Sequence, residues 1–234
     1  MMKTTIVIPT LNEIDGVKSF LPQIKKEWYE WLLVADGNST DGTLNWCYEN
    51  SYQVYQQGGK GLCAAQMEAV ALSECGDNDI VIFASPDGNS VPQAIPKLIA
   101  EMEKGYDMAI ASRYCPGQSF SYDDDFITKL GNRLFTWAIN LLFGGQYTDT
   151  LVIFRAVRRR ALRAMGLEAF SKKTWFGRMF PQYESFELLS SIRAAKLRLS
   201  IKDVPSDEPK RIAGVRKMCV PLHGTTMLIQ LVIE

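Results

Sequence analysis

From Thr4 to Arg113 the chain alternates short apolar runs with stretches of helical spacing, and this alternation constrains the fold more than any other feature. Thr4–Pro9, Trp31–Ala35, Ile80–Ala84 and Tyr106–Ala111 are dense in β-branched and other apolar residues and read as strands, with a weaker strand at Tyr52–Gln56. Between them lie helical patterns: Val17, Phe20, Leu21 and Ile24, then an Ala-rich segment from Leu62 to Ser73, then Ala94–Glu103. Strands that alternate with helices predict a parallel sheet with right-handed crossovers. Ligands of such sheets sit beyond the carboxyl ends of the strands. Those ends carry Asn12 and Glu13, Asp36, Lys60, Asp87 and Arg113. A merely structural sheet needs turn formers there, not repeated acids and bases, so one polar rim is predicted to be a site.

The strand at Ile80–Ala84 breaks at Ser85-Pro86 and delivers Asp87 and Asn89 into a Gly-containing turn, with Pro92 suited to the first turn of a helix. Asp87 in this position either caps the following turn or helix, or serves a cation, a ribose or a phosphate-bound metal. The second half reads differently. A loop over Tyr114–Phe126 contains Asp123-Asp124-Asp125, and Lys129–Phe143 is a helix apolar almost all round, predicted to be buried rather than in contact with lipid. Thr148–Arg155 reads as a strand with one acid, Asp149, at its start. Arg155, Arg158, Arg159, Arg160 and Arg163 follow on a helix as a solvated face, a phosphate or head-group patch being the alternative. Tyr183–Ala195 is amphipathic, with Glu184 and Glu187 near its start, where anions suit the helix dipole. A strand at Ser200–Val204, a basic loop over Pro205–Lys217 and an apolar tail over Pro221–Ile233 complete the chain. The tail is too short to span a bilayer and suited to lying on one.

With 234 residues, 47% of them hydrophobic, the chain can bury one large core or two small ones. Lys plus Arg balances Asp plus Glu at 26 each, so no net charge points to nucleic acid. Cys47, Cys63, Cys75, Cys115 and Cys219 are scattered without a Cys-x-x-Cys pair, which argues against a disulfide framework and a structural zinc. No signal-peptide pattern and no apolar run of roughly 18–20 residues occurs, which predicts a cytoplasmic protein. No Gly-x-Gly-x-x-Gly follows a strand, against a dinucleotide-dependent dehydrogenase, and Thr10–Gly16 lacks the Gly-rich basic loop of a nucleotidyltransferase. The lone His223 reads as a surface or interface residue of the tail.

Taken in order, IVIPTLNE (6–13), VADGNSTDGT (34–43), GGKG (58–61), PDGN (86–89), ASR (111–113), TD…FR (148–155) and FELL…VP…R…G…K (186–217) resemble the family-2 inverting glycosyltransferases of GT-A fold. The branch they look most similar to is the dolichyl- or polyprenyl-phosphate sugar transferases. The resemblance implies a mainly parallel mixed α/β sheet in a catalytic domain over 1–217, with a donor half (1–113), an acceptor half (114–217) and an amphipathic tail (218–234). It implies a nucleotide-diphosphate sugar donor, UDP- or GDP-linked, and a lipid-phosphate or saccharide acceptor, with peripheral contact at the inner face of a membrane. It also implies Mg²⁺ or Mn²⁺, which carboxylates would hold at the leaving oxygen. Pro9, Asn12 and Glu13 would line the nucleoside pocket and Asp36 would accept an N–H from the base. Asp87 matches the second acid of the metal-binding Asp-x-Asp, and Asn89 the polar residue two further on. Lys60, Arg113, Lys129, Arg211 and Lys217 fall where phosphates are met. Asp149 and Glu187 are the candidates for a general base, which a hydroxyl acceptor needs and an ionised phosphate does not. The chain departs from the pattern at Ser85, which replaces the first acid, and at Val152-Ile153 before the Phe-Arg pair, which narrows the acceptor side. The Gln-x-x-Arg-Trp signature of processive synthases is absent, so one sugar per acceptor is expected. A degenerate sugar-nucleotide-binding protein without turnover is the competing reading, and Ser85 is its support.

Overall fold

Thr4–Thr10 (β1) and Ile80–Phe83 (β4) are buried along their whole length. Near-continuous apolar strands of this kind belong inside a sheet covered on both faces. The computed structural model describes residues 2–117, 119–168, 175–212 and 219–234; Lys217 lies outside the described residues. After β1 come Ile14–Phe20 (α1), Trp31–Asp36 (β2), Thr43–Glu49 (α2), Gln53–Gln56 (β3) and Leu62–Leu72 (α3), which leads into β4. Ile95–Glu103 (α4) and Met108–Ser112 (β5) follow. Phe126–Phe143 (α5), Arg155–Arg158 (β6), Arg159–Ala164 (α6), Trp175–Met179 (α7), Phe186–Lys196 (α8), Ile201–Pro205 (β7) and Val220–Ile233 (α9) form the second half.

The strand order is β3-β2-β1-β4-β6-β5-β7. Neighbours run parallel except β6, which is antiparallel to both β4 and β5. Phe83 and Ile110 both register with Arg155, so β6 locks the two halves of the sheet together. The expected mixed, mainly parallel α/β sheet is therefore present. Its core joins Ile6, Val7, Ile82, Phe83 and Ile110 from the strands to Val70, Leu98, Met102 and Phe186 from the helices.

Three expectations are corrected. Thr148–Phe154 is irregular, and the strand begins only at Arg155. The carbonyls of Thr150 and Val152 accept from the Arg155 guanidinium, and Thr150 Oγ1 bonds Thr136, so side chains take over from a strand ladder. The arginines do not form one solvated face. Arg155 and Arg158 are buried on β6, where Arg158 donates to the carbonyls of Asn78, Met102 and Tyr106. Arg159 pairs with Glu168, Arg160 with Asp107, and Arg163 with Asp77 and Glu168.

α5 also departs from expectation. It starts earlier than expected, at Phe126, because the Asp125 side chain caps it by accepting from the Thr128 N–H at 2.7 Å. It is not buried all round: only Asn132, Thr136 and Ile139 are, while Phe126 (79% exposed), Trp137 (62%) and Leu141 (63%) face outward. The quantity of apolar residues predicts burial, but the inward face is polar because Asp149 and Thr150 need partners there. α9 repeats the inversion. Its Thr226 and Gln230 are buried, and the Gln230 amide bonds Ser185 N–H and the Tyr183 carbonyl, while Leu228 and Val232 are exposed. No helix among the described residues is long and apolar enough to cross a membrane.

Candidate active site

The carboxyl ends of the parallel strands share one rim, and β6, running the other way, brings the segment that precedes it to the same rim. Asp149 thus arrives beside residues of the first half although it lies far along the chain. Pro9, buried in β1, registers with Ala35, and Thr10 with Asp36. Asp36 is fully buried: its carboxylate accepts from Thr10 Oγ1 at 2.9 Å, from Ser39 N–H at 2.8 Å and from Ser39 Oγ at 2.5 Å. Asn12 sits in the left-handed region at φ 52°, which its short polar side chain tolerates. Its N–H reaches Ser39 Oγ and its Oδ1 accepts from Thr40 N–H. Glu13 donates its N–H to Thr43 Oγ1. These residues knit the β1 and β2 ends into one cradle. Lys60 is exposed just before α3, in a loop whose Gly58 and Gly59 N–H groups are held by Glu68.

At the end of β4, Pro86 and Asp87 pack against α1 so closely that a Cβ on Gly16 would come within 2.5 Å of the Pro86 carbonyl oxygen. Asp87 Oδ2 lies 2.9 Å from Arg211 Nη2, and its Oδ1 accepts the Asn89 N–H at 3.1 Å. Asn89 Nδ2 turns to Asp123 (3.1 Å) and Glu208 (3.4 Å), and its Oδ1 is buried without a partner. Ser85 offers no charge, and no group of three or more His, Cys, Asp or Glu side chains suited to a metal occurs among the described residues. A single carboxylate already neutralised by a guanidinium, with one amide oxygen, does not fit a resident divalent ion, which draws on charged oxygens.

Arg113 is buried at the centre of a cluster of acids. Its Nε and Nη2 make a two-pronged bond to Asp149, at 2.7 and 3.0 Å, and its Nη1 reaches Glu208 (3.1 Å) and Asp124 (3.3 Å). Asn132 Nδ2 adds a bond to Asp149 at 2.9 Å. Burial works to raise the Asp149 pKa, but the Arg113 charge and these hydrogen bonds outweigh it and hold the carboxyl below its ordinary value. Burial raises Glu208, with Arg113 offsetting only part of the effect. Burial works to lower Arg113, and its carboxylates hold it above the usual arginine value. Its guanidinium is thus engaged by acids rather than presented to a phosphate.

Lys129 is half-buried on α5, its Nζ 5.8 Å from the centre of the Tyr114 ring. Glu187 is buried in the first turn of α8, accepting from Ser185 Oγ at 3.0 Å and Gln66 Nε2 at 3.5 Å. The fold brings Asp87, Asn89, Arg113, Asp149 and Arg211 into one linked network, and Pro9, Asn12, Glu13 and Asp36 into a neighbouring one. Sequence reasoning missed Asp123, Asp124 and Glu208 as members. The acidic run over Asp123–Asp125 and the Asp207-Glu208 pair of the basic loop were the available signals.

The chain is 27% identical over 238 residues to an undecaprenyl-phosphate mannosyltransferase of Micrococcus luteus, which covers 97% of this chain and 92% of the relative. It is 25% identical over 227 residues to a polyprenol monophosphomannose synthase of Mycolicibacterium smegmatis, covering 92% and 81%. Among solved structures, glucosyl-3-phosphoglycerate synthase from Mycobacterium tuberculosis, in complex with Mn²⁺, UDP and glucosyl-3-phosphoglycerate, superposes with a TM-score of 0.65 at 20% identity. That alignment covers 100% of this chain and 81% of the other. Mannosyl-3-phosphoglycerate synthase from Rubrobacter xylanophilus gives a TM-score of 0.69 at 16% identity, over 98% and 73%. At such identities the structures speak for the fold, a GT-A-like α/β domain. Residues 5–166, more than half of the chain, match glycosyl transferase family 2, and the chain belongs to that family of sugar-transferring enzymes.

Proposed function

We propose that this protein moves one sugar from a UDP- or GDP-linked donor to the phosphate of a polyprenyl-type lipid carrier, by a single inverting displacement at the anomeric carbon. The observation that carries the reading is the inverted helix α5. Its buried edge supplies Asn132 to Asp149 in the rim, while Phe126, Ile127, Leu134, Trp137 and Leu141 stand exposed on the other side. Contiguous exposed apolar surface marks a membrane or partner contact, and Lys129 and Arg133 on the same helix suit anionic head groups. An acceptor with a lipid tail and an anionic head fits such a surface, with the enzyme attached peripherally at the cytoplasmic face.

Acceptor chemistry supports the same reading. A hydroxyl acceptor needs a carboxylate free to take its proton. Asp149 is buried and held ionised by Arg113, and Glu187 is buried with the Ser185 hydroxyl bonded to it. A phosphate arrives already ionised and needs neither. In this reading Pro9, Asn12, Glu13 and Asp36 hold the nucleoside. Lys60, Lys129, Arg211 and Lys217 meet phosphates, and Arg113 positions Asp149. Asp87 acts through the arginine it binds. The donor set at Asp87 and Asn89 does not fit the expected Mg²⁺ or Mn²⁺.

The test supplies labelled UDP- and GDP-hexoses with polyprenyl phosphate in vesicles. Label that partitions into the organic phase and is released by mild acid supports the proposal. Transfer only to water-soluble phosphates would refute the lipid carrier. Nucleotide binding with no transfer to either acceptor would favour the binding-protein reading, for which Ser85 speaks.

A further inference from the structure

We infer that Arg211, held by Asp87, supplies the cation that the leaving diphosphate needs, so that donor binding by this protein does not depend on a divalent ion. The inference rests on the reading of the chain as a nucleotide-sugar transferase. In the displacement, a bond forms between the acceptor oxygen and the anomeric carbon. The bond from that carbon to the diphosphate oxygen breaks, and its electron pair leaves with the nucleoside diphosphate. Negative charge therefore develops on the departing oxygen, and a preorganised positive group there lowers the barrier.

Charge balance favours the arginine. Two carboxylates around a dication sum to zero. One carboxylate with one guanidinium also sums to zero, and at Asp87 this chain has that second combination: Ser85 where an acid is expected, and Arg211 on Asp87 at 2.9 Å, with the Asp123 carboxylate taken up by the Arg211 N–H and the Asn89 amide. A divalent ion added to the present pair would meet the guanidinium at the carboxylate oxygen it has to share.

Arg211 is also fixed in place, unlike an ordinary surface arginine. Its N–H donates to Asp123 Oδ1 at 3.2 Å, and the next N–H, of Ile212, donates to the Asp87 carbonyl at 3.0 Å. Ile212 seats on Gly88, whose φ of +96° and lack of a side chain allow it; a Cβ there would lie 2.5 Å from Ile212 Cγ1. The Arg211 side chain keeps 19% of its surface exposed, so it remains open at the rim. A guanidinium has five N–H donors in a planar fork, and Asp87 engages the Nη2 end, which leaves donors for phosphate oxygens.

The experiment is calorimetric titration of UDP and GDP into the full chain, in EDTA and in Mn²⁺, for the wild type, Arg211→Ala and Arg211→Gln. One nucleotide is expected to bind the wild type with affinities in the two media within roughly threefold of each other. Both variants, their folding checked by thermal melting, are expected to lose about tenfold or more in EDTA, the scale of a charge-assisted contact. Binding that appears only with Mn²⁺, or variants that bind in EDTA as the wild type does, would overturn the inference and leave the transferase reading standing. Absence of nucleotide binding in every arm would remove both.

Discussion

Asp87 and Arg113 mark the two chemical poles of the rim. Asp87→Ala should lower turnover about 10²-fold or more, the scale for losing a preorganised charge at the leaving oxygen, because Arg211 loses the carboxylate that holds it there. The melting temperature should move by no more than about 2–4 °C, because a rim acid is not core packing; near-normal turnover would remove Asp87 from the machinery. Arg113→Met, by contrast, leaves Asp149, Glu208 and Asp124 buried without their cation. That should cost about 3–5 kcal/mol in urea unfolding. The same cluster sets a pH dependence. Asp149 is depressed in the folded chain, so its stabilisation is full above an ordinary carboxylate value of about 4 and is lost as pH falls through the folded value. Glu208, raised by burial, works in the opposite sense: its contribution is present at low pH and fades as pH rises through its folded value. The stability difference between the wild type and Asp149→Asn should therefore shrink on acidification, which urea titrations at several pH values would read. The place of Asp87 and Asn89 at a strand end was legible in the sequence, but a turn or cap suits such residues equally well, so their site role came from the resemblance. Arg211 as the partner of Asp87 was not legible, since the contact joins distant loops and no local pattern encodes it.

At the scale of elements, α5 teaches the most. Its length and apolar content were plain in the sequence, but which face turns inward depends on what the neighbouring segment asks for. Asp149 and Thr150 ask for Asn132 and Thr136, so the polar edge goes in and the apolar edge goes out. The same demand explains why Thr148–Phe154 is not a strand: its polar groups are already bonded to side chains. Trp137→Glu with Leu141→Glu should abolish flotation with anionic liposomes at low salt. Stability should change by only about 0.5 kcal/mol for each exposed site. Flotation unchanged by both substitutions would take the membrane role away from this helix.

The whole molecule couples two unlike halves through one sheet. The first half was readable almost element by element, since βα alternation announces itself through local periodicity. The second half was not, because its loops and several of its helices take their shape from contacts with the first half. A global measurement follows from that coupling. A nucleotide at 100 times its dissociation constant should add about 2.7 kcal/mol to the stability of the entire chain, seen as one cooperative rise in melting temperature. A split transition in which only one component shifts would show that the halves unfold independently. The placement of β6 between β4 and β5 also has a consequence for how the chain is made. Phe83 finds its antiparallel partner only when Arg155 has been synthesised, so the β4 edge stands open while the intervening segment emerges from the ribosome. A parallel subsheet of β3, β2, β1 and β4 can assemble early, but it has to wait for a strand that arrives late and runs backwards. Substitutions that slow the docking of Arg155–Arg158 would thus be felt first as aggregation of nascent chains, with the molecules that do finish folding working as before.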